Sequence, residues 1–290
     1  MRVITHNDRF HADDVFAMAT LRIMFKDSIT EIIRTRDENI IQTGDIVFDV
    51  GNIYDFETNR FDHHQTEGAG LRENGIPYAS FGLVWKKWGT DICKDEYVAQ
   101  LVDKKLVQII DASDNGFSLY DYTTQDVKEY VMDTICGSFG PTWTEEDNFD
   151  EAFFEVVDIA EKILRREVKI AQDKNKAIPL VEKAYQDAED KRLVILDEYY
   201  PWHDTLSKYD EILFVMFPSK DGSQWRINTV QQDRFINKKD FPVEWAGLRT
   251  QELEEVTGVS GALFCHRKLF LAAAASKESA LLLAKKAIEA

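Results

Sequence analysis

The chain is poor in cysteine and has no long hydrophobic run. Its three cysteines, Cys93, Cys136 and Cys265, lie far apart and form no C-x-x-C pair, which excludes a disulfide framework and a zinc site made of thiolates. We expect them to be core thiols. No apolar run approaches the ~20 residues of a membrane span, and residues 1–6 lack the apolar stretch of a signal peptide. The sequence therefore predicts an intracellular, cytoplasmic protein.

Positive charge is also scarce. The chain has 35 Lys and Arg residues against 52 Asp and Glu residues, which gives a formal net charge of -17. A chain this acidic is not expected to hold nucleic acid through a broad basic surface, so a nucleic-acid substrate would need a local entry lined by metal ions. No Gly-x-Gly-x-x-Gly pattern follows the first strand and no Gly-x-Ser-x-Gly pattern occurs, so a Rossmann cofactor site and a serine-hydrolase elbow are unsupported.

The apolar content is high enough for a folded protein with a sizeable core. Hydrophobic residues make up 44% of the 290 residues and charged residues 30%, which excludes intrinsic disorder. The length favours two domains, or one large domain. We expect the boundary between residues 146 and 147, after the glycine- and proline-containing stretch 137–141 and before a long helix.

The first part of the chain alternates between strand-like and helix-like patterns. Strands are predicted over residues 2–6, 31–35 and 45–50, and helices over 14–25, 78–88 and 96–110. Gly89 is expected to end the helix 78–88. The order strand, helix, strand predicts an α/β domain over residues 1–146, with a mostly parallel sheet flanked by helices. Its functional edge should lie at the carboxyl ends of the strands.

The second part, residues 147–290, begins with a predicted connector. Apolar residues at helical spacing from Phe153 to Ala171 indicate one long amphipathic helix. Beyond Pro179 the patterns favour strands over residues 193–196, 212–217, 225–230 and 262–274, with a closing helix over 276–289. This order predicts a smaller α+β domain after the connector.

Histidines cluster near the amino terminus, beside carboxylates. Four of the six histidines lie in the first 64 residues. The cluster comprises His6, His11, His63 and His64, with Asp13, Asp14, Asp49 and Asp62 close by in sequence. They fall at strand ends and in the loops after them, and Asp111 follows the apolar stretch 106–110. All of these positions can meet at one edge of a parallel sheet.

Each of these residues has a simple structural explanation when it is taken alone. A histidine at a strand end is usually a hydrogen-bonded structural residue, and Asp13-Asp14 alone fits a helix cap. The ordered set is more specific. It reads H-x4-H-x-D, then Asp-Val-Gly at a strand end, then Asp-His-His, then Asp-Ala-Ser-Asp-Asn-Gly. This order favours a metal site.

Imidazoles and carboxylates without thiolates suit Mn²⁺, Fe²⁺, Co²⁺ or Zn²⁺, and three or more carboxylates favour a harder ion such as Mn²⁺. A shared carboxylate allows two ions, which can activate a water and stabilise the leaving oxygen at phosphorus. Two divalent ions, +4, against Asp13, Asp49 and Asp111, -3, leave +1 for an anionic substrate. We therefore expect two divalent ions, Mn²⁺ first, with Zn²⁺, Co²⁺ or Mg²⁺ as alternatives.

The ordered motifs resemble those of the DHH phosphoesterase superfamily, which includes family II inorganic pyrophosphatases and RecJ-type exonucleases. More closely, the chain is similar to the MYG (melanocyte proliferating gene) family, UPF0160, also described as metal-dependent protein hydrolases. The residues that carry this resemblance are Thr5-His6, Phe10-His11-Ala12-Asp13, Phe48-Asp49-Val50-Gly51, Arg60-Phe61-Asp62-His63-His64-Gln65, residues 80–85, Ile110-Asp111, Asn115-Gly116, Pro201-Trp202, Trp225-Arg226, Gly247-Leu248-Arg249 and residues 261–270.

The resemblance implies a DHH-like fold for residues 1–146 and a two-metal site. It places one ion on His6, His11 and Asp49, and the second on Asp13, Asp49, His63 and Asp111, with Asp49 as the bridge. His64 is then expected beside the substrate phosphoryl group as a donor or general acid. Asp62 is expected to orient a neighbouring histidine, and Asp114 either to do the same or to form a cap or turn. His11 stands where the superfamily usually has an aspartate.

The resemblance also implies substrate contacts in residues 147–290. The candidates are His266, Arg267, Arg249 and Arg226, because arginine can bind phosphate through two parallel hydrogen bonds. A solvated surface charge is the alternative for each of them. Ala272-Ala273 stands where relatives tend to have Gly-Gly, and the added Cβ atoms are expected to narrow the approach of a substrate.

Three functional hypotheses remain. The first is a metal-dependent phosphoesterase that acts in the cleft between the domains on the end of a short RNA or DNA, like a 3′–5′ exonuclease, or on a small nucleotide. The second is a metal-binding regulatory protein without turnover. The third is a hydrolase of amide or peptide bonds, which only the family's alternative description supports. The sequence leaves the oligomeric state open, a homodimer included.

Overall fold

The computed structural model describes residues 1–120, 126–127, 129–233 and 236–290. The chain divides into two compact units, Met1–Gln172 and Asp173–Ala290. Each unit contains a five-stranded sheet with helices, and both sheets include parallel strand pairs. The predicted mixed α/β class is confirmed at this level.

The first unit contains strands β1 to β5, helices α1 to α6 and the first part of helix α7. The strands are β1 (Arg2–Thr5), β2 (Glu31–Arg34), β3 (Ile46–Phe48), β4 (Tyr54–Asp55) and β5 (Arg60–Phe61). The helices are α1 (Ala12–Phe25), α2 (Glu38–Ile41), α3 (Ser80–Cys93), α4 (Glu96–Val102), α5 (Gln108–Asp114), α6 (Met132–Gly137) and α7 (Phe149–Asp187). A π-helical turn, Asp103–Val107, joins α4 to α5.

The sheet of the first unit has the order β2-β1-β3-β5-β4. β2, β1, β3 and β5 are mutually parallel neighbours, and β4 pairs antiparallel with β5. β3 is buried along its whole length and β1 along most of it, as expected for parallel strands that are covered on both faces. The carboxyl ends of β1, β3 and β5 therefore lie side by side at one edge.

Helix α3 does not end at Gly89 as predicted. It continues to Cys93 and ends at Lys94, whose backbone is left-handed. Gly89 is inside the helix because the indole of Trp85 lies against it, and a Cβ there would be 2.7 Å from Trp85 Cε2. The glycine provides room for a tryptophan side chain and does not stop the helix.

Helix α7 is longer than predicted at both ends, and Pro179 lies inside it. Its first half buries Phe153, Val157 and Leu164 in the core of the first unit, and this compact unit extends to Gln172. Past the proline, Val181 is fully buried in the second unit. That burial offsets the backbone hydrogen bond that a proline removes. The functional roles predicted for residues 1–146 and 147–290 stay predictions.

The second unit is strand-rich after α7, as predicted. Its strands are β6 (Leu193–Ile195), β7 (Phe214–Pro218), β8 (Trp225–Thr229), β9 (Gln231–Asp233), β10 (Ile236–Asn237), β11 (Ala262–Cys265) and β12 (Leu271–Ala274). Its further helices are α8 (His203–Leu206), α9 (Thr250–Thr257) and α10 (Lys277–Glu289). The main sheet has the order β11-β12-β8-β7-β6, and its only parallel pair among the described residues is β6 with β7.

The apolar stretch 262–274 forms two antiparallel strands, β11 and β12. Helix α10 follows, and Ser276 begins it by accepting a hydrogen bond from Ser279 N. Within the described part of the chain, no helix combines the length and the apolar character that a membrane crossing requires.

Candidate metal centre

The candidate site lies at the carboxyl edge of the first unit's sheet. His6 follows β1, Asp49 follows β3, and Asp62 and His63 follow β5. Because these three strands are parallel neighbours, residues from three distant parts of the sequence meet there. These four side chains meet at the strand ends, as the sequence pattern predicts.

Asp49 is at the centre of the site and is almost fully buried, with 4% exposure. Its Oδ2 is 3.1 Å from His6 Nε2, and its Oδ1 accepts a hydrogen bond of 3.2 Å from Ser80 Oγ and lies 3.4 Å from His63 Nε2. Burial raises the pKa of Asp49, but the adjacent imidazoles of His6 and His63 outweigh burial and hold it well below its ordinary value. The carboxylate is therefore charged and faces both histidines.

The backbone of Asp49 is left-handed, with φ at 55°. A residue with a side chain rarely adopts this conformation, although aspartate and asparagine tolerate it best. Strain of this kind is concentrated at functional sites. Here it turns the chain at the end of β3 so that the carboxylate reaches both His6 and His63.

His6 has a second carboxylate partner, Asp14, in the first turn of α1. Asp14 Oδ2 is 3.3 Å from His6 Nε2 and accepts no hydrogen bond, while Oδ1 accepts from the backbone of His11 and Val15. Burial is the largest influence on both groups. It raises the pKa of Asp14 to about 7. It lowers the pKa of His6, but the bond to Asp49 and the two carboxylate charges outweigh it and raise the value to about 9.

Asp13 binds the beginning of helix α3. Its two oxygens accept hydrogen bonds from Ser80 N and Phe81 N at 2.9 and 2.7 Å. Burial, followed by the nearby charges of Asp114 and Asp49, raises its pKa well above the ordinary value. A cation close to such a buried acid would stabilise its charged form further.

His63 lies between Asp49 and Asp114, and its Nε2 is 3.1 Å from Asp114 Oδ2. Burial lowers the pKa of His63, but Asp114 and Asp49 outweigh it and raise the value to about 11. The same Nε2 makes no well-oriented hydrogen bond although it is buried. An orphaned imidazole nitrogen between carboxylates is a good metal ligand.

Asp111, a predicted ligand, is engaged elsewhere. One oxygen accepts from Gly82 N at 2.9 Å, and the other is 2.7 Å from Arg72 Nη2 in a buried ion pair. A Cβ on Gly82 would lie 1.8 Å from Asp111 Oδ2, so the glycine is what allows this close approach. Asp114, for which we expected only an orienting, cap or turn role, takes the place beside His63 one helical turn later.

His64 and Asp62 form a pair at the rim. Asp62 Oδ1 is 2.7 Å from His64 Nδ1, and Asp62 Oδ2 accepts from Asn52 N at 2.6 Å. Burial raises the pKa of Asp62, but these hydrogen bonds outweigh it and lower the pKa below the ordinary value. The bond to Asp62 is the main cause of a raised pKa at His64. The His64 side chain is 56% exposed, and Asp62 is the residue that orients it.

Three groups of side chains bring ligand atoms within 4.8 Å of one another among the described residues. They are His6, Asp14 and Asp49; Asp49, His63 and His64; and Asp13, His63 and Asp114. Of the six predicted ligands, His6, Asp13, Asp49 and His63 belong to these groups. Asp111 and His11 do not. His11 is exposed, and its ring centre is 6.2 Å from that of His6.

The donor set fits divalent metal ions. Asp13, Asp14 and Asp49 are buried, and no Lys or Arg side chain among the described residues pairs with them. Asp14 Oδ2 and His63 Nε2 are buried without a hydrogen bond. Buried charges are paired or coordinate metals, and a carboxylate shared by two groups, as Asp49 is, suits a bridging ligand.

The groups open into a cavity of about 940 Å³. His6, His11, His64, Asp49 and Asp114 line it, and Arg36 lies on its wall. Sequence reasoning missed Arg36 and Ser80 as residues of the site, and it considered Asp14 and Asp114 without making them ligands. The Asp13-Asp14 doublet and the second aspartate of the Asp-Ala-Ser-Asp motif were the available signals for the last two.

The predicted substrate residues of the second unit do not all line one cavity. Arg226 is exposed on β8 and lines a cavity of about 570 Å³ with Trp202 and Asn228. Arg249 precedes α9 and lies over the Phe264 ring. His266 contacts the rings of Phe264 and Phe270, and Arg267 is exposed. None of the last three lines that cavity.

The Ala272-Ala273 pair lies in the middle of β12, where both residues are buried between β11 and β8. Ala272 is paired with Cys265 and Ile227, and Ala273 with Phe264 and Arg226. The methyl groups pack in the second unit. Whether they limit a substrate stays a prediction.

The chain matches known proteins along its whole length. The family model of the uncharacterised protein family UPF0160, MYG1_exonuc, matches residues 2–288. The chain is 30% identical over 322 residues to the Homo sapiens protein named MYG1 exonuclease, an alignment that covers 98% of this chain and 85% of that protein. It is 29% identical to the MYG1 exonuclease of Mus musculus, covering 98% of this chain and 84% of that protein. It is also 29% identical to the MYG1 protein of Dictyostelium discoideum, covering 99% and 96%.

Proposed function

Because the chain belongs to the uncharacterised protein family UPF0160, MYG1_exonuc, we propose that it is a metal-dependent phosphoesterase that removes nucleotides from the ends of short RNA or DNA strands. The resemblance to the MYG family is thereby confirmed, and the DHH-like fold is part of the proposal. The observation that carries the function is Asp49, a buried carboxylate that belongs to two adjacent ligand groups. The names of the human and mouse relatives support an exonuclease.

The proposed ligands follow the observed groups. His6, Asp14 and Asp49 would hold one divalent ion, and Asp13, His63 and Asp114 the other, with Asp49 close to both. His11 and Asp111 remain candidates from the family resemblance. Bound there, two ions such as Mn²⁺ would activate a water and stabilise the leaving oxygen of a phosphodiester.

The residues of the chain have distinct roles in this proposal. Ser80 and the start of α3 hold Asp49 and Asp13 in place through hydrogen bonds. His64 donates a proton to the leaving oxygen. Asp62 occupies His64 Nδ1, so Nε2 is the nitrogen left for the substrate. A raised pKa keeps His64 protonated over a wider pH range and suits it to act as a general acid.

The charge of the chain limits the substrate. A net charge of -17 repels a long duplex, whereas a single-stranded end needs only a local site of opposite charge. The cavity of about 940 Å³ has room for one or two nucleotides. We therefore propose short or single-stranded ends as substrates, and salt-sensitive binding to long duplex would contradict this.

The first experiment measures the metal content of the purified protein together with Mn²⁺-dependent hydrolysis of a short 3′-labelled oligonucleotide. His63→Ala should lose metal and activity. His203→Ala is the matched control, because His203 is an exposed histidine on α8 and should retain both. Release of labelled mononucleotide by the parent and by His203→Ala, but not by His63→Ala, would support the proposal. Bound metal without turnover of any phosphodiester would contradict it and favour a regulatory metal-binding protein.

A further inference from the structure

The wall of the metal cavity carries one arginine that the proposed chemistry does not use. Among the described residues that line the cavity, Arg36 is the only Arg or Lys. Its side chain is exposed and makes no hydrogen bond or ion pair with the described part of the chain. In a chain with a net charge of -17, an unpaired guanidinium beside an acidic cavity is unusual, because carboxylates are abundant.

The fold brings Arg36 to the same sheet edge as His6. β2 pairs in parallel with β1, with Arg34 opposite Thr5, and Thr35 N donates a 2.8 Å hydrogen bond to Thr5 O. Arg36 is therefore the next residue beyond the sheet on the strand adjacent to His6. Asp37, the next residue, forms no ion pair with Arg36; its Oδ1 accepts hydrogen bonds from Asn39 N and Nδ2 at the start of α2.

Arg34, two residues earlier, shows what a structural arginine looks like in this segment. Its side chain is 1% exposed, it pairs with Asp150 at 2.6 Å, and it donates to Asp8 O at 2.7 Å. Its guanidinium also lies over the Phe153 ring. Arg36 has none of these contacts, so folding of the first unit does not depend on its side chain.

We propose that Arg36 binds a phosphate of the substrate other than the one that is cleaved, so that the cavity selects substrates with at least two phosphates. This inference rests on the proposed phosphoesterase function. The cleaved phosphate must lie at the ligand groups around Asp49, and Arg36 forms no ion pair with any carboxylate of these groups. Its planar guanidinium is thus available to a neighbouring phosphate, which arginine binds through two hydrogen bonds.

The activity test compares two substrates that differ in phosphate number. Bis(p-nitrophenyl) phosphate has a single phosphodiester, and a short 3′-labelled single-stranded oligonucleotide has several. Arg36→Gln should reduce kcat/KM for the oligonucleotide at least about tenfold, mainly through KM, and leave bis(p-nitrophenyl) phosphate unchanged. Equal losses on both substrates would overturn the proposal, and so would no loss on either.

Two further variants test whether the guanidinium of Arg36 is required, and not positive charge alone. Arg9→Gln is the matched control, because Arg9 is an exposed, unpaired arginine in the loop after β1 that does not line the cavity. It should behave as the parent. Arg36→Lys keeps the charge without the planar fork, so it should recover only part of the affinity. Full recovery with lysine would contradict the bidentate contact.

A binding measurement keeps the test independent of turnover. A labelled phosphorothioate single strand, which resists hydrolysis, is titrated in Mn²⁺ at several salt concentrations and followed by fluorescence anisotropy. Loss of one phosphate contact should lower the slope of log Kobs against log salt by about 0.7 in Arg36→Gln and not in Arg9→Gln. If the parent hydrolyses nothing and this slope still changes, the phosphoesterase function fails and the Arg36 contact stands. An unchanged slope, or no binding by the parent, overturns the contact.

Discussion

His6 Nε2 and Asp49 Oδ2 lie 3.1 Å apart although 43 positions separate them in the chain. Strand register sets this distance, because β1 and β3 pair in parallel with Ile4 opposite Val47. Both residues therefore leave the sheet at the same edge, and the left-handed backbone of Asp49 turns its carboxylate back toward the imidazole. The pair links the register of the sheet directly to the geometry of the candidate metal centre.

The first prediction concerns Asp49 as the shared ligand. Asp49→Ala should lose metal from both proposed ion sites, since Asp49 is a ligand in the group of His6 and Asp14 and its Oδ1 lies 3.4 Å from His63 Nε2 of the other group. Alanine is strained at a φ of 55°, so Asp49→Asn is the more informative variant, because asparagine tolerates this conformation and has nearly the same shape. Its metal content, measured by mass spectrometry after dialysis, should fall well below that of the parent.

Asp91→Asn is the control for Asp49, because Asp91 is an exposed aspartate on α3 and away from the cavity. It should keep the metal content of the parent. If Asp49→Asn retains the full metal content, Asp49 does not bridge the two groups and the proposed centre is wrong.

The second prediction separates Asp114 from Asp111. Asp114→Asn should weaken metal binding and lower the stability of the metal-free protein less than Asp111→Asn does, because the Asp114 side chain is partly exposed, at 14%. Asp111→Asn should instead destabilise the fold by at least about 2 kcal/mol, since it leaves the charge of Arg72 with Asp103 alone in a buried site. Urea denaturation in EDTA and metal titration measure the two effects separately.

The reverse result is also informative. If Asp111→Asn lost metal at unchanged stability while Asp114→Asn bound metal normally, the ligand assignment implied by the family resemblance would be right and the grouping of Asp13, His63 and Asp114 would not describe the bound state.

The third prediction tests the close packing at Gly82. A Cβ there would lie 1.8 Å from Asp111 Oδ2 and 2.7 Å from Arg72 Nη2. Gly82→Ala should therefore move the start of α3, which Asp13 binds through Ser80 and Phe81, and cost at least about 2 kcal/mol of unfolding free energy. Metal affinity should fall as well, because Asp13 moves with the helix.

Gly137→Ala is the matched control, because Gly137 ends α6 and a Cβ there meets no atom within 4 Å. It should be neutral or stabilise the protein by up to about 1 kcal/mol. Equal stability of Gly82→Ala and the parent in urea denaturation would mean that α3 and Asp111 separate without cost, which the observed contacts do not allow.

The fourth prediction is the pH dependence of the metal-free protein. Burial lowers the pKa of His6, yet Asp49 and Asp14 raise it to about 9 in the folded state. A folded pKa above the unfolded value means that the folded protein binds more protons, so stability declines as pH rises from about 6.5 to about 9. Burial raises the pKa of Asp14 to about 7, and this acts in the same direction from about pH 4 to 7.

Manganese should reverse this trend, because metal ligands must be deprotonated to bind. Thermal unfolding in EDTA should show a melting temperature that falls between pH 6 and 9, and the stabilisation by Mn²⁺ should grow over the same range. His6→Gln should make the decline in EDTA less steep, and the raised pKa of His63, about 11, should account for the decline that remains. A melting temperature in EDTA that rises through this range would contradict the proposed proton linkage.

The sequence predicts the parts of the site that depend on strand ends. His6, Asp49 and His63 follow apolar strands, and parallel strands place such residues at one edge, so their meeting is predictable from periodicity alone. The alternation of strands and helices in the first unit is predictable for the same reason. Apolar residues recur every two residues in a strand and every 3.6 residues in a helix, because those are the positions whose side chains are buried.

The remaining features depend on contacts between distant side chains. Gly89 ends no helix because Trp85 packs on it, and Pro179 ends none because later residues of α7 are buried. Asp111 and Asp114 lie one turn apart on α5, and only the structure shows that Asp111 is the one paired with Arg72. Local composition holds no information on such three-dimensional partners, so the ligand set could be predicted only in part.

The last prediction concerns the pair His64 and Asp62. His64→Ala should reduce kcat on an oligonucleotide by a factor of about 10² or more and retain bound metal, since a general acid is not a ligand.

Asp62→Asn should keep the shape of the pair but remove the charge that raises the pKa of His64. The alkaline limb of the kcat profile should therefore move to lower pH, with kcat near its optimum reduced less than in His64→Ala. Asp55→Asn, which changes a half-buried aspartate on the neighbouring strand β4 that does not line the cavity, should leave the profile unchanged. Loss of metal in His64→Ala would mean that His64 is a metal ligand together with Asp49 and His63. An unchanged pH profile in Asp62→Asn would mean that Asp62 only holds the loop after β5.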